Sequence, residues 1–170
     1  MGASSWWYEV DYREDVAEAL AEVKQRVFSK GGFYHPWKRR RWAPNSDELD
    51  EMIAAAAAPG LTPDKLRASA TRLMRGRRPL SVEHLLALAG EEGTHSILDM
   101  FGLGDGFGEV APLDLSEYDR LFGTLTPTMK QVKARKRELM RLRDRWMGTY
   151  VVVDRGGLPS GIVFTGFSGD

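Results

Sequence analysis

Alternating apolar and polar residues near the start of the chain predict a β-strand. In residues 6–12, one side of the strand would carry Trp6, Tyr8, Val10 and Tyr12. The other side would carry Trp7, Glu9 and Asp11. Because successive side chains of a strand point to opposite faces, this pattern predicts a strand whose first, mostly aromatic side faces the core. Trp7 falls on the outward side, where we expect a helix or another protein to cover it.

Helical spacing of apolar residues, together with capping signals, predicts four helices in the first half of the chain. Their predicted starting points are Glu14 with Asp15, Ser46, Thr62 with Pro63, and Ser81. Hydroxyl and carboxylate side chains satisfy the free N–H groups of a first helical turn, and proline fits the first helical position. The expected stopping points are Gly31 with Gly32, Pro59 with Gly60, and Gly90.

The second half of the chain begins with a region rich in glycine and acidic residues, at about 91–112. We interpret this region as loop, except for the apolar run at residues 96–101, which predicts a brief strand. A long helix is predicted over residues 128–147, after Pro127. The last apolar segments, at 150–153 and 162–167, predict a hairpin with its turn at residues 154–157.

These segments together predict a single α+β domain over residues 1–170. The first strand and the C-terminal hairpin are expected to form a small antiparallel sheet, against which the first and last long helices pack. Residues 46–90 would then form a helical insertion. The chain length of 170 residues agrees with one domain that buries its own core.

Composition narrows the classes of protein to consider. The 42% apolar and 28% charged residues are typical of a globular chain, and cysteine is absent, which excludes disulfides and thiol chemistry. No apolar run is long enough to span a bilayer, and the first residues contain no secretory signal pattern. We therefore expect a cytoplasmic protein without a membrane segment.

Charge is sorted along the chain although the formal net charge is zero. Residues 79–119 contain nine acidic residues and no lysine or arginine. The basic residues concentrate at 38–41, 65–78 and 130–145. Opposed charge territories favour a function in binding, because complementary charge steers and orients a macromolecular partner.

Two basic segments are candidate binding sites. The first combines cations with flanking aromatic residues in Trp37, Lys38, Arg39, Arg40, Arg41 and Trp42. Base stacking with phosphate pairing would suit a single-stranded nucleic acid, whereas a solvated loop is the alternative. The second is a stripe on the predicted long helix, formed by Lys130, Lys133, Arg137, Arg141 and Arg145. Lys136 and Arg143 fall within the apolar face of that helix, so each must extend to solvent, meet a carboxylate, or lie where the helix leaves the core.

Residues 65–89 bear a partial resemblance to phage-repressor-type helix-turn-helix domains. The resemblance rests on a helix rich in small and polar residues, the basic turn Arg75-Gly76-Arg77-Arg78 with Pro79, and a following leucine-rich helix. It implies contact with nucleic acid through the basic end of the first helix. The room between Leu61 and Gly76 is too short for two helices and their turn, so we assign no family.

The only grouping of residues that we consider for catalysis is His95, Ser96 and Asp99, which lie close together in the sequence. A histidine near a hydroxyl and a carboxylate has the groups for general base chemistry. If the run is extended, however, His95 and Ser96 point to opposite faces, and hydrogen bonds within a loop explain the same residues. The three histidines, His35, His84 and His95, lack the spacing of a helical metal site, so we expect neither metal nor cofactor.

Three functional hypotheses remain from the sequence. The first is a small accessory, regulatory or inhibitor-type protein that binds a macromolecular partner, most simply another protein, through its charged surfaces. The second is a nucleic-acid-binding regulator that uses the basic segments at 37–42 and 130–145. The third is a small enzyme with His95 as general base. A surface with both signs of charge is also compatible with a homo-oligomer.

Overall fold

The computed structural model describes residues 4–35 and 46–168. Its strands are β1 (Ser5–Asp11), β2 (Gly102–Leu103), β3 (Glu109–Pro112), β4 (Met147–Arg155) and β5 (Leu158–Phe167). They form one five-stranded sheet in the order β1-β5-β4-β3-β2. The α-helices of the described residues are α1 (Val16–Lys30), α2 (Asp47–Ala56), α3 (Pro63–Met74), α4 (Val82–Ala89), α5 (Leu115–Phe122), α6 (Met129–Ala134) and α7 (Lys136–Met140). The α+β fold class is confirmed.

The antiparallel part of the sheet joins the two ends of the described chain, as predicted. Strand β1 pairs with β5 from Ser5 opposite Phe167 to Asp11 opposite Gly161. Strands β4 and β5 form the predicted hairpin, with an irregularity in the pairing between Val153 and Asp154. Strand β5 therefore lies inside the sheet, between β1 and β4.

The glycine-rich region contains more regular structure than its composition predicts. Strands β2 and β3 both lie in it, and β3 extends the sheet by pairing in parallel with β4. The predicted brief strand at residues 96–101 is wrong, because Ile97–Asp99 form a short 3₁₀ helix. Its turn is fixed by a capping box, in which the Ser96 and Asp99 side chains each bond to backbone N–H groups of the turn.

Local capping explains where α1, α2 and α4 begin, whereas α2 ends at Ala56, before the predicted Pro59, and Thr62 precedes α3 without a side-chain capping bond. The Asp15 carboxylate accepts hydrogen bonds from Ala17 and Glu18, and Gly31 ends α1 in a left-handed conformation with φ of 69°. The Ser46 and Ser81 hydroxyls cap α2 and α4 in the same way. Residues 61–76 hold the single helix α3, so the structure places no second helix there.

The predicted long helix over residues 128–147 is wrong. Helix α6 ends at Ala134, α7 ends at Met140, and Arg135 between them has φ of −100° and ψ of 14°. The Arg135 side chain donates a hydrogen bond to the Leu121 carbonyl of α5 at 3.1 Å. After α7 the chain enters β4, where the Trp146 N–H donates to the Phe167 carbonyl.

Helices cover both faces of the sheet, so the molecule has two apolar clusters. The larger cluster joins one sheet face to helices α1–α4 and includes Trp6, Val10, Ile162 and Phe164. The smaller joins the other face to α5–α7, through Val151, Val153, Val163, Val132 and Leu139 among others. The faces predicted for β1 are confirmed for Trp6 and Val10, which lie in the larger cluster, and for Trp7, which packs against the smaller. Tyr12 was predicted on the inward face, but it follows the end of β1 and is exposed.

Trp6 packs against two glycines on neighbouring strands. Gly148 and Gly166 lie opposite each other in the β4–β5 pair. A Cβ atom at Gly148 would lie 2.7 Å from the Trp6 ring, and one at Gly166 would lie 2.5 Å from it. Glycine is therefore required at both positions by close approach of the ring.

Candidate functional site

Helices α6 and α7 pack against β4 and β5, next to the outward side chains Trp7 and Glu9 of β1. The Thr128 hydroxyl and the Gln131 amide form a capping box that starts α6. Val132 and Leu139 are buried and fix which side of the two helices faces the sheet. The two helices and the residue that follows α7 also carry five exposed cations, here called the cation surface: Lys130, Lys133, Lys136, Arg137 and Arg141.

Two of these cations contact the residues of β1 beneath them. The Lys133 ammonium lies 2.9 Å from a Glu9 carboxylate oxygen. The Trp7 indole N–H donates to the other Glu9 oxygen at 2.9 Å, and the Lys136 ammonium lies 5.1 Å from the Trp7 ring centroid. Burial acts to raise the pKa of the Glu9 carboxyl, but the hydrogen bonds from Trp7 and Lys133 together hold it below its usual value.

The other cations of this surface project without such partners. Lys130, Arg137 and Arg141 are exposed, and none of them forms an ion pair with a carboxylate among the described residues. Among the described residues, these three cations therefore have no carboxylate partner. The cation surface thus retains a net positive charge after Lys133 is paired.

Arg143 and Arg145 lie in the connection between α7 and β4 and not on the predicted long helix. Arg143 makes a two-pronged ion pair with Glu117, with distances of 2.8 and 3.0 Å, and the side chains are only 20% and 14% exposed. Its charge is thus met by a carboxylate of the acidic segment, which is one of the outcomes expected for a cation on an apolar helix face. Arg145 is exposed and precedes Trp146 in the connection to β4.

A groove of about 630 Å³ adjoins the cation surface at Lys130 and Lys133. It lies between α1, the start of α6 and the tip of the β4–β5 hairpin. Its charged lining residues are Glu9, Asp11, Glu22, Arg26, Lys130, Lys133, Asp154 and Arg155. The Arg26 guanidinium donates to the Glu9 carbonyl at 2.9 Å, which holds α1 against β1 at the groove wall. The groove therefore presents both signs of charge side by side.

The acidic segment does not form one uniform surface. Asp99 is buried, Asp114 caps α5, Glu109 bonds to the Gly106 N–H, and Glu117 pairs with Arg143. These four carboxylates serve the fold, whereas Glu83, Glu91, Asp105 and Asp119 are exposed. Several carboxylates of the acidic segment are thus engaged in helix caps, turns or a salt bridge, so only part of its negative charge is exposed.

The three residues considered for catalysis are used in local structure. The Asp99 carboxylate accepts hydrogen bonds from the Thr94 N–H at 2.7 Å and the Ser96 N–H at 3.4 Å, and both side chains are buried. The Ser96 hydroxyl lies 2.8 Å from that of Thr94. His95 bonds instead through Nδ1 to the Ser4 hydroxyl at 3.1 Å and stacks on Tyr34 with ring centroids 4.3 Å apart. These contacts fasten the 94–99 turn to the start of the chain.

The remaining candidate features are placed as follows. The basic segment Trp37, Lys38, Arg39, Arg40, Arg41 and Trp42 lies outside the described residues. Within residues 4–35 and 46–168, no group of three or more histidine or acidic side chains is arranged to hold a metal ion. In the same ranges, no helix has the length and apolar character needed to cross a bilayer.

Two contacts of these sites carry no signal in the sequence. Ser4 and His95 are far apart in the chain, as are Glu9 and Lys133, so only the fold brings each pair together.

Comparison with known proteins adds no assignment, because no protein-family model, no curated protein and no solved structure matches the chain.

Proposed function

We propose that this protein acts by stoichiometric binding of a macromolecular partner, and that the cation surface is its main contact. The observation that supports this proposal is that Lys130, Arg137 and Arg141 are exposed and have no carboxylate partner among the described residues. Complementary charge of this kind increases the rate of encounter and fixes the orientation of a bound partner.

The partner that fits best is a protein with a mainly acidic surface. Nucleic acid presents a continuous row of phosphates, which would meet the carboxylates of Glu9, Asp11 and Asp154 in the adjoining groove. A protein surface can instead place its own cations against those carboxylates. Trp7, the aromatic residue beneath the cation surface, is half-buried and bonded to Glu9, so it is not presented for base stacking.

The chain without cysteine is compatible with a reducing compartment, and we propose that the protein acts in the cytoplasm as an accessory, regulatory or inhibitor-type component. Catalysis by His95 receives no support from its neighbours, since Ser96 and Asp99 bond to backbone groups of their own turn. Binding without turnover therefore remains the proposal.

Affinity capture from native lysate with a charge-reversal variant tests this function. In Arg137→Glu/Arg141→Glu, like charges would face an acidic partner, and we expect capture to fall at least about tenfold. The matched control is Lys65→Glu/Arg77→Glu, which makes the same charge change at exposed residues of the α3 region, on the other side of the sheet. Both variants are compared by quantitative mass spectrometry, with and without nuclease.

Each outcome of this experiment is decisive. A set of proteins lost from the α7 variant but retained by the control would support the proposal. Equal capture by both variants would refute it, because the cation surface would then not be the contact. If capture depends on intact nucleic acid and falls steeply as the salt concentration rises, the partner is a nucleic acid and not a protein.

A further inference from the structure

A second exposed surface lies at the other edge of the sheet. Phe101 and Phe107 are 68% and 66% exposed, and Leu103 between them is 37% exposed. The Phe107 ring also contacts Trp146, with centroids 5.6 Å apart. We call these four residues the edge patch. Because single exposed apolar residues are common but clusters of aromatic residues are not, this patch marks a contact site.

The loop that carries these side chains is held in place by its own hydrogen bonds. The Phe101 N–H donates to the Gly108 carbonyl at 2.5 Å, and the Gly108 N–H donates to the Trp146 carbonyl at 2.7 Å. Gly108 has φ of 74°, and a Cβ atom there would lie 2.4 Å from the Phe101 ring. The aromatic rings are therefore preorganised, which lowers the entropy lost when a partner binds.

The patch also offers free backbone groups. Strand β2 ends the sheet, and its ladder with β3 includes a bond from the Gly104 N–H to the Val110 carbonyl. In this parallel register Leu103 lies opposite Val110, so its own N–H and C=O point away from β3. An extended segment of another chain can bond to such an edge.

Among the residues that the structure describes, the charge around the patch is mainly negative. Asp105 and Glu109 belong to the same loop as the aromatic residues, and Glu91 and Glu92 precede Gly93, which packs against the Trp146 ring. Two cations border the patch as well. The half-buried Lys24 donates from its ammonium to the Met100 carbonyl, and Arg145 precedes Trp146. The carboxylates thus outnumber the cations among the described residues around the patch.

We propose that the edge patch binds an extended, basic segment of a partner protein, in which apolar side chains alternate with lysine or arginine. The apolar side chains would pack on Phe101 and Phe107, the backbone would bond to Leu103, and the cations would face Asp105 and Glu109. A symmetric pair of copies joined through this patch is disfavoured, because it would bring the same carboxylates together.

This surface is distinct from the one in the proposed function. The cation surface is carried by α6 and α7, which pack on β4 and β5 next to β1, whereas the edge patch lies at β2, the edge strand at the other end of the sheet from β1. The two sites therefore select partners of opposite charge and can be tested separately.

The test uses a short synthetic peptide that alternates lysine with leucine and phenylalanine, titrated into the ¹⁵N-labelled full chain. We expect saturable shifts confined to the amides of residues 101–109 and the Trp146 indole. The same peptide with glutamate in place of lysine should bind at least about tenfold more weakly. Phe101→Ser/Phe107→Ser should weaken binding of the lysine peptide by a similar factor, whereas Leu125→Ser/Leu158→Ser, at exposed leucines near the hairpin tip, should not.

The proposal is overturned by any of three results. The first is equal affinity for the lysine and glutamate peptides, or no saturable binding at millimolar peptide. The second is a set of shifted amides outside the edge patch. The third is a concentration-dependent dimer in sedimentation equilibrium that Phe101→Ser/Phe107→Ser abolishes, since a second copy would then be the occupant. Near-UV circular dichroism of each variant verifies that the fold is retained.

Discussion

Adding a single methyl group beneath Trp6 should destabilise the protein in a graded way. At Gly166 an ideal Cβ lies 2.5 Å from both the Trp6 ring and the Met147 carbonyl oxygen. At Gly148 it lies 2.7 Å from the ring and meets only side-chain atoms. Carbon atoms in contact are normally about 3.5 Å apart, so each substitution creates an overlap of roughly 1 Å.

The nature of the neighbouring atom sets the expected size of the loss. The Met147 oxygen belongs to a paired strand and cannot move away, so we expect Gly166→Ala to cost about 3 kcal/mol, at the upper end for overpacking. The Trp6 ring can shift slightly, so Gly148→Ala should cost about 1–2 kcal/mol. Gly102→Ala is the matched control, since its Cβ would meet nothing within 4 Å, and it should be neutral or slightly stabilising.

Equilibrium unfolding in urea measures this order of stability among the three variants. The midpoint urea concentrations are compared, and the m-value should stay unchanged. Trp6→Phe provides a second test, because a smaller ring should relieve Gly148→Ala by about 1 kcal/mol but leave the clash of Gly166→Ala with the Met147 oxygen. The indole N–H of Trp6 is buried and has no partner in the described structure, so its removal offsets part of the lost packing. Equal midpoints for Gly166→Ala and Gly102→Ala would falsify this account of the Trp6 packing.

Two further predictions concern ion pairs. Arg143→Met leaves the largely buried Glu117 carboxylate without its cation, and should lower the free energy of unfolding by about 2 kcal/mol, whereas Arg143→Met/Glu117→Gln should recover part of this loss in the same urea assay. The pKa of Glu9 is lower in the folded chain than in the unfolded chain, so its contribution is present at neutral pH and is lost as pH falls below about 4.5 through the folded pKa. Glu9→Gln should therefore flatten the acid limb of the stability profile, and an unchanged limb would contradict the role of Lys133 and Trp7.

The helices up to α4 could be predicted because their signals are local. Asp15, Ser46 and Ser81 each cap the turn that immediately follows them, and no distant residue is needed to place these helix starts. The alternation in β1 was equally local, and it assigned Trp6 and Trp7 to opposite faces correctly.

The errors arose where distant contacts decide the backbone. Strand β3 is short and follows a glycine-rich loop, and it forms because β4 lies beside it in parallel. No glycine or proline marks the interruption at Arg135, where the side chain reaches the Leu121 carbonyl of α5. Tertiary contact overrides helical periodicity there, so the cations predicted over 130–145 do not lie on one continuous helix.

The edge patch could not be recognised from the sequence either. Phe101 and Phe107 lie among glycines, without the periodicity that distinguishes a buried from an exposed side. The acidic residues of the same region were visible, but helix caps and salt bridges account for several of them, including Asp99 and Glu117. A charge count therefore overstated the acidic surface and gave no information on the aromatic one.

The internal position of β5 has a consequence for synthesis on the ribosome. Strand β1 is the first described strand to emerge, yet its only neighbour in the sheet is β5, the last one. The aromatic residues of β1 must therefore wait until translation of this segment is nearly finished, with Ser5 pairing only when Phe167 has left the exit tunnel. Such non-local pairing slows folding and leaves the unpaired β1 segment prone to aggregation during synthesis. Production of this protein should therefore depend on chaperones that bind exposed hydrophobic segments of nascent chains.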